Sequence, residues 1–558
     1  MQNRLRISVL LAIVLLVSLL AVAASAAGPD AWISPDGTLT ADAITFNKND
    51  GEGYTLYLPG YLKTDQMKFG VAAGVSFIYG TRNIKTGDSA AIVRTGTTQI
   101  TIGKQKGSLT VMRGSRGLPA VFVTTESGSL KKIEANKANR EPGTCVLRGP
   151  DGEVQYNGML ESVKCRGNSS MTFKKKNYQI KLAKGTDLLG MGKAKKWILT
   201  GNYRDKSYLR NQIMLDLAAA VGLDYTPAHL SAELYINHEY RGLYLFSEKV
   251  EIDKDRVAVA NLEKATEKLN NTPLGEFSIV GKKKSTKGAY KAYDIPNEPD
   301  DISGGYLVEF ERYSARYRQE SSAYTTRKGN ILVVKSPEYT SVAQMNYISS
   351  LFQSFENAIM AENGNDPDTG KHYTEIADAD SLALKYMIEE ISENYDGNSS
   401  SQYFYKPADS VSTKIFAGPV WDYDSTFGSY AAKHNAKNVL NPAYLWIAKG
   451  DRTAWYPALY RHQDFRDLVA CLWEERVKGA VEVLLGLRTS DSEDLLSIDQ
   501  LQKSIQDSAA MDRKRWPRPE VSDTVAQTGG PFDVNIKFLK DYLKNRYDFL
   551  NSTWVQGE

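Results

Sequence analysis

The chain has 558 residues, 42% of them hydrophobic and 24% charged, with a formal net charge of +3. That length calls for more than one domain, and the composition places it among globular rather than disordered or fibrous proteins. A charge this close to balance excludes the basic field that nucleic-acid binding requires, and three cysteines exclude a disulfide scaffold.

At the start, Arg4 and Arg6 precede an apolar run over residues 7–24, and Ala24-Ser25-Ala26 supplies a small-residue cleavage site. This is the pattern of a secretory signal peptide over residues 1–26, whose removal leaves a charge of 3 − 2 = +1. The run is also about long enough to remain as a membrane anchor, but the adjoining A-x-A site favours cleavage. No Cys follows it, so a lipoprotein anchor is not expected, and no second spanning segment occurs beyond residue 30. A secreted or cell-surface protein is the expectation.

Residues 28–113 read as a small all-β accessory domain, an Ig-like sandwich. Turn signals (Pro35-Asp36-Gly37, Asn49-Asp50-Gly51, Thr86-Gly87-Asp88) recur there between short Val/Ile/Tyr/Phe segments. Nothing in it is catalytic in type; a spacer, or a module facing carbohydrate or cell wall, is the default. Gly114-Ser115-Arg116-Gly117 is the expected linker. Strands then come first, at 120–125, 144–148, 162–165, 178–182 and 196–200. A helix is expected over 206–221, with Asp205 or Ser207 at its cap, followed by strands at 232–236, 242–248 and 305–310.

Residues 264–301 are polar and rich in Lys, Asn and Pro, the composition of a long insertion or mobile loop. Helices dominate after residue 341, over 342–362, 380–394, 462–487, 495–514 and 533–552. Strands first and helices last make a two-lobed α+β catalytic domain over 118–555. Cys145 and Cys165 lie on strands able to sit side by side, so in an oxidising compartment they either pair or stay free. Cys471 falls in an apolar helix and is expected to be buried. No CxxC or HExxH spacing occurs, so a zinc site is not expected.

The most informative stretch is 391–428: Glu393-Asn394-Tyr395-Asp396-Gly397-Asn398, then Tyr403-Phe404-Tyr405, then Gly418-Pro419-Val420-Trp421-Asp422-Tyr423-Asp424. It reads as a helix end, an acidic loop, a β-hairpin turning at Ala408-Asp409-Ser410, and a second acidic loop. Two carboxylate loops joined by one hairpin can face a common centre. Phosphoryl transfer needs that arrangement, one carboxylate orienting a hydroxyl and another holding Mg²⁺ on the phosphates. If 422–424 continue as a strand, Asp422 and Asp424 share a face and reach one metal, with Asn398, Ser401 and Gln402 near Asp396. The bland alternative is two solvated loops whose acids cap turns.

Three further segments bear on anion binding. Lys164-Cys165-Arg166-Gly167-Asn168-Ser169-Ser170 ends a strand in a loop of small and polar residues, and Lys174 to Lys181 returns. Small residues let backbone amides approach an anion, and a returning Lys adds a point charge. It is neither G-x-x-x-x-G-K-[ST] nor G-x-G-x-x-G, and a hairpin with solvated lysines explains it as well. Asn202-Tyr203-Arg204-Asp205-Lys206-Ser207 leads to Arg210 and Asn211, close enough to a helix start to help bind an anion. Glu233-Leu234-Tyr235-Ile236-Asn237 and 240–251 form a strand pair that ends in Ser247-Glu248-Lys249, either core or the lining of an adenine slot.

Taken in order, RGNSS with KKxYxIKL, NYRDKSxLRN, ELYxNxEYRGLYLxxEKV, the NxD segment and FAGPVWDxD resemble the spore coat protein H (CotH) kinase family. The resemblance implies an atypical protein-kinase-like fold that transfers phosphate from ATP, with Mg²⁺ or Mn²⁺, to Ser or Thr of a protein substrate. It implies Asp396 as the catalytic Asp and Asp422 as the metal-binding Asp, with Asp424 a second ligand or a neighbour of the first. Lys176 or Lys181 would touch the phosphates with Arg166, Asn168 and Ser169 near them; Arg210, from its place near a helix start, and Glu248, from the strand pair, are added to the expected nucleotide-binding set on their own segments. Many relatives carry Asn five residues after the catalytic Asp; here that position is Ser401, a weaker ligand for which Asn398 can substitute. The alternatives are an inactive kinase fold serving as a surface-binding protein, and AMP transfer or glutamylation on the same fold.

Overall fold

The computed structural model describes residues 28–555 apart from 50–52, 282–286, 313, 398, 450–454, 491, 493, 518–523 and 526–529. The expected signal peptide and Asn398 therefore lie outside the described residues. The chain divides into two compact units. The first holds the residues up to Thr172 with Lys176–Ala183 and Glu233–Gly242; the second holds Phe173–Lys175, Lys184–Ala232 and the residues from Leu243 onward.

The first unit begins with two sheets. One is three-stranded, in the order Ile44–Thr45, Ala31–Ser34, Lys68–Val71. The other is six-stranded, and its Tyr54–Leu58 strand runs parallel to Gln105–Arg113. Alternation sets the buried face: Ile100 and Ile102, then Leu109 and Val111, point inward at every second position. The Phe77 ring packs edge-on against Phe46 at 5.1 Å and Phe69 at 5.6 Å between centroids.

Four long strands follow: β1 (Ala120–Thr125), β2 (Glu141–Arg148), β3 (Val154–Arg166) and β4 (Asn177–Asp187). They pair antiparallel in sequence, β4 facing β3 with Arg166 opposite Asn177. Cys145 stands opposite Gly158 and Cys165 opposite Tyr178, so the two thiols lie on neighbouring strands but are not cross-strand partners. Both are free and buried, and burial pushes each thiol up to about 12.

The second unit continues with β5 (Lys193–Thr200) and α1 (Arg210–Ala220). The hairpin of β6 (His229–Ile236) and β7 (Glu239–Glu248) has residues in both units. α1 starts four residues later than the sequence suggests, because Asp205 closes a tight turn and accepts the Arg210 amide at 2.9 Å. A seven-stranded sheet includes β8 (Tyr306–Glu311), which lies between the strands Ile331–Ser336 and Gln402–Lys406. Two of its strands, Ile279–Val280 and Tyr290–Tyr293, come from the segment expected to be a mobile insertion. There Leu274, Tyr293 and Ile295 form a small core that the surrounding Lys and Asn residues obscure in sequence.

The helices are α2 (Val342–Met360) and α3 (Ala379–Ser392), followed by strands β9 (Gln402–Lys406) and β10 (Phe416–Ala417). Then come α4 (Ile498–Arg515) and α5 (Phe532–Val555). Capping boxes Ser341/Gln344 and Ser497/Gln500 start α2 and α4. The stretch expected as one helix over 462–487 is Gln463–Leu472, a π turn over Trp473–Val477, and Lys478–Leu484. Cys471 is exposed rather than buried, because Phe465, Val469 and Leu472 occupy the inward face.

α3 is the centre of this unit. Every residue from Leu382 to Ser392 is buried, so its polar side chains must be satisfied internally. Lys385 pairs with Glu389 at 3.1 Å, and Arg546 of α5 pairs with Glu390 at 2.9 Å. Glu390 also accepts the amides of Ile447 and Ala448 at 3.0 and 2.9 Å.

Candidate active site

The C-terminal end of α3 sets the first acidic loop. Glu393 takes the left-handed conformation (φ +46°) that stops the helix. Asn394 then turns the chain: its Nδ2 donates to Glu389 Oε2 at 2.8 Å, and its Oδ1 accepts the Asp396 amide at 3.0 Å. The Asp396 carbonyl accepts from the amides of Ser399 and Ser400 at 2.7 and 3.1 Å, and the Ser399 hydroxyl donates to it at 3.0 Å. Asp396 is thus fixed by backbone bonds, with its carboxylate half-buried at the loop tip.

The hairpin of β9 and β10 forms as expected, with Phe404 opposite Ala417 and a turn at Ala408. The second acidic loop is not a strand. Asp422 lies at φ +72°, so alternation fails and Asp422 and Asp424 do not share a face through pleating. A non-glycine residue held there carries backbone strain of the kind that clusters at functional sites. Asp422 is exposed and accepts the Ser401 hydroxyl at 3.4 Å, Ser401 itself lying at φ +59°. Asp424 is half-buried and accepts the Ser425 hydroxyl at 2.9 Å.

The two loops are stitched together. The Tyr395 amide donates to the Ser425 carbonyl at 3.1 Å, and the Phe427 amide to the Ser392 carbonyl at 2.7 Å. Beneath them Glu389 accepts the Tyr423 hydroxyl at 2.7 Å as well as the Asn394 amide, so one buried carboxylate holds both. Asn211 on α1 accepts the Tyr423 amide at 2.7 Å. The Tyr430 hydroxyl is raised above its ordinary range, first by burial and also by Tyr395, Asp396 and Asp424, while Arg204 opposes them. One ring therefore has both acidic loops and a guanidinium as neighbours.

Among the described residues, no group of three or more His, Cys, Asp or Glu side chains is gathered to hold a metal ion. The donors are fewer: the exposed Asp422 carboxylate with the Ser401 hydroxyl beside it. A Mg²⁺-type ion takes one or two carboxylates from the protein when phosphates and waters complete its shell, so these hard oxygen donors fit it.

Two residues expected at the nucleotide are committed elsewhere. Arg210 is fully buried and bonds Asp205 at 2.6 Å, the Ser207 hydroxyl at 2.9 Å and the Thr426 carbonyl at 3.0 Å. It ties the start of α1 to the second acidic loop rather than facing a phosphate. Glu248 forms a buried ion pair with Arg256 and accepts the Ala228 amide at 3.0 Å. Burial raises its pKa against the pull of Arg256. Lys175, one of three consecutive lysines that read as solvated, is likewise buried, paired with Asp512 and bonded to the Leu243 carbonyl at 2.6 Å.

The remaining expected residues belong to the first unit. Gly167 sits at φ +100°, and a Cβ there would fall 1.9 Å from the Ser170 hydroxyl, so only glycine makes this turn. Arg166 ends β3, Asn168 accepts from Lys137 at 3.0 Å, and Ser169 begins a 3₁₀ turn over Ser169–Thr172. Lys176 donates to the Met171 carbonyl at 2.6 Å, and Lys181 pairs with Glu161.

Sequence reasoning passed over Glu389, Tyr423, Arg204 and Tyr430. The i, i+4 pairing of Lys385 with Glu389 was the available signal for the first; nothing local marked Tyr430.

A protein-family model described as CotH kinase protein matches residues 163–550, a span that includes all the acidic-loop residues described above. No curated protein matches the chain.

Proposed function

The chain belongs to the CotH kinase protein family, and on that premise we propose that it transfers the γ-phosphoryl group of ATP to a Ser or Thr hydroxyl of a protein outside the cytoplasm. The observation that carries this reading is the pair of acidic loops held together by Tyr395–Ser425 and Phe427–Ser392 backbone bonds over Glu389. Asp396 accepts the proton of the attacking hydroxyl as its oxygen bonds to the γ-phosphorus, and the bond to the β–γ bridging oxygen breaks to release ADP. Asp422, with Ser401, would hold a divalent cation, which when bound neutralises the phosphate charge. Asp424 keeps its place through Ser425 and supports the same loop.

We read residues 118–555 as a two-lobed kinase-like domain and residues 28–113 as an Ig-like module before it. Export is supported by Arg4, Arg6 and the apolar run after them. No helix among the described residues is long and apolar enough to cross a membrane.

The test is purified protein lacking residues 1–26, with Mg²⁺ or Mn²⁺ and γ-labelled ATP, beside Asp396→Asn and Asp422→Ala. Label on the protein or a generic acceptor should fall by at least roughly 10²-fold in each variant, the scale of a lost general base or charge partner. No label, with no thermal shift on adding ATP and metal, overturns the reading. A shift without γ-label, but with label from the α position, makes the reaction AMP transfer.

A further inference from the structure

We propose that Arg204 is a catalytic residue that grips the transferred phosphoryl group, an inference that rests on the phosphoryl-transfer reading above. Arg204 and Arg210 lie six positions apart in one segment, and their surroundings differ in kind. Arg210 is charge-balanced by Asp205 in the interior. The Arg204 guanidinium makes no ion pair among the described residues. It is instead held between two rings, 4.0 Å from the Tyr430 centroid and 5.2 Å from that of Phe173.

Stacking fixes the plane of a guanidinium and leaves its N–H edge unspent, the state suited to bidentate capture of a phosphate. One edge contact is weak: NH1 donates to the Ser425 hydroxyl at 3.4 Å, and that hydroxyl donates onward to Asp424. Its Nε–H is buried without an acceptor, a donor whose desolvation nothing in the fold repays. A guanidinium present only to pack would be expected to take the nearby carboxylates. Asp396 and Asp424 both act on the Tyr430 hydroxyl that Arg204 stacks upon, yet neither pairs with Arg204. An anion arriving between the acidic loops would meet both the unpaired charge and the orphan donor. In the transition state the equatorial oxygens of the γ-phosphoryl group supply that anion.

The experiment compares wild type with Arg204→Met, which keeps an unbranched stem to pack between the rings, and with Arg204→Ala assayed with and without free guanidinium ion. The expected result for Arg204→Met is a kcat lower by on the order of 10³-fold with the KM for ATP little changed. Calorimetry with Mg²⁺ should show wild type preferring ATP over ADP and Arg204→Met losing that preference. Guanidinium should restore part of the Arg204→Ala rate, which a packing defect would not allow. Wild-type turnover in Arg204→Met overturns the inference and leaves the kinase reading standing. So does lost turnover with the ATP preference intact and no rescue, which makes Arg204 structural. A wild type that neither binds ATP nor transfers label overturns the kinase reading, and this inference with it.

Discussion

The acidic loops at the end of α3 and the cations Lys176 and Lys181 are held in opposite ways. The acidic loops hang from groups with no solvent exposure: Glu389 ties both, Glu390 is paired with Arg546, and Arg210 reaches the Thr426 carbonyl. Lys176 and Lys181 are held by local and partly exposed partners, the first by a carbonyl five residues back and the second by Glu161, while the adjoining Lys175 is buried on Asp512. Buried pairs are rigid and cannot be exchanged without a large desolvation cost, whereas exposed pairs dissociate easily. Carboxylates that must meet a hydroxyl and a metal at set distances gain from the first arrangement. Cations that must release one partner to accept a phosphate gain from the second.

The largest expected effect strikes the buried side of that contrast. Glu389→Ala removes the acceptor of Tyr423 and Asn394 and leaves Lys385 buried without its counter-charge. Breaking a buried pair from one side costs about 3–5 kcal/mol. Chemical denaturation should show a loss of that size, and phosphoryl transfer should fall in whatever fraction stays folded. Unchanged stability and activity would mean that the loops are not suspended from α3.

Much of the strand and helix order was legible, because period-2 and 3.6-residue patterns report one-sided burial directly. The strand at 120–125 matches residue for residue, and the α2, α3 and α4 boundaries fall within about three residues. What failed was the reading of charge. Arg204 and Arg210 look alike in NYRDKSxLRN, and the sequence favours Arg210 because it lies at a helix start. Only the fold shows that Asp205 neutralises it and that distant Tyr430 stacks on its neighbour. Asp422 stands out in the sequence as a carboxylate, but its left-handed backbone was invisible, since no glycine marks the turn.

A middle-sized effect belongs to Glu393, whose carboxylate accepts the Tyr542 hydroxyl in the interior. Burial raises its pKa well above 4.5, while Arg546, 3.9 Å away, pulls the other way without prevailing. The folded protein therefore binds more protons here than the unfolded chain. Stability from this group is fully present below about pH 4.5 and is lost as pH rises through the raised folded value. Each unit of elevation is worth about 1.4 kcal/mol across that window. Glu393→Gln should remove this part of the slope, so that the variant gains on wild type as pH increases. Melting temperatures measured from about pH 4.5 to 7.5 check the sign; a difference independent of pH would place the carboxylate in its ionised form throughout.

The smallest effect on stability is expected at Lys181, and there the contrast is sharpest in sign. Lys181 and Glu161 are 36% and 34% exposed, so their pair is screened, and Lys181→Met should cost no more than about 1 kcal/mol. If Lys181 leaves Glu161 to meet a phosphate, the same variant raises the KM for ATP. Glu161→Gln then lowers it, because the cation no longer has to be pulled from a rival anion. Opposite shifts in KM with nearly equal melting temperatures would mark an exchangeable cation. Shifts in the same direction would mean that the two residues act together as a structural strut, and that the basic strand is fixed as firmly as the acidic loops.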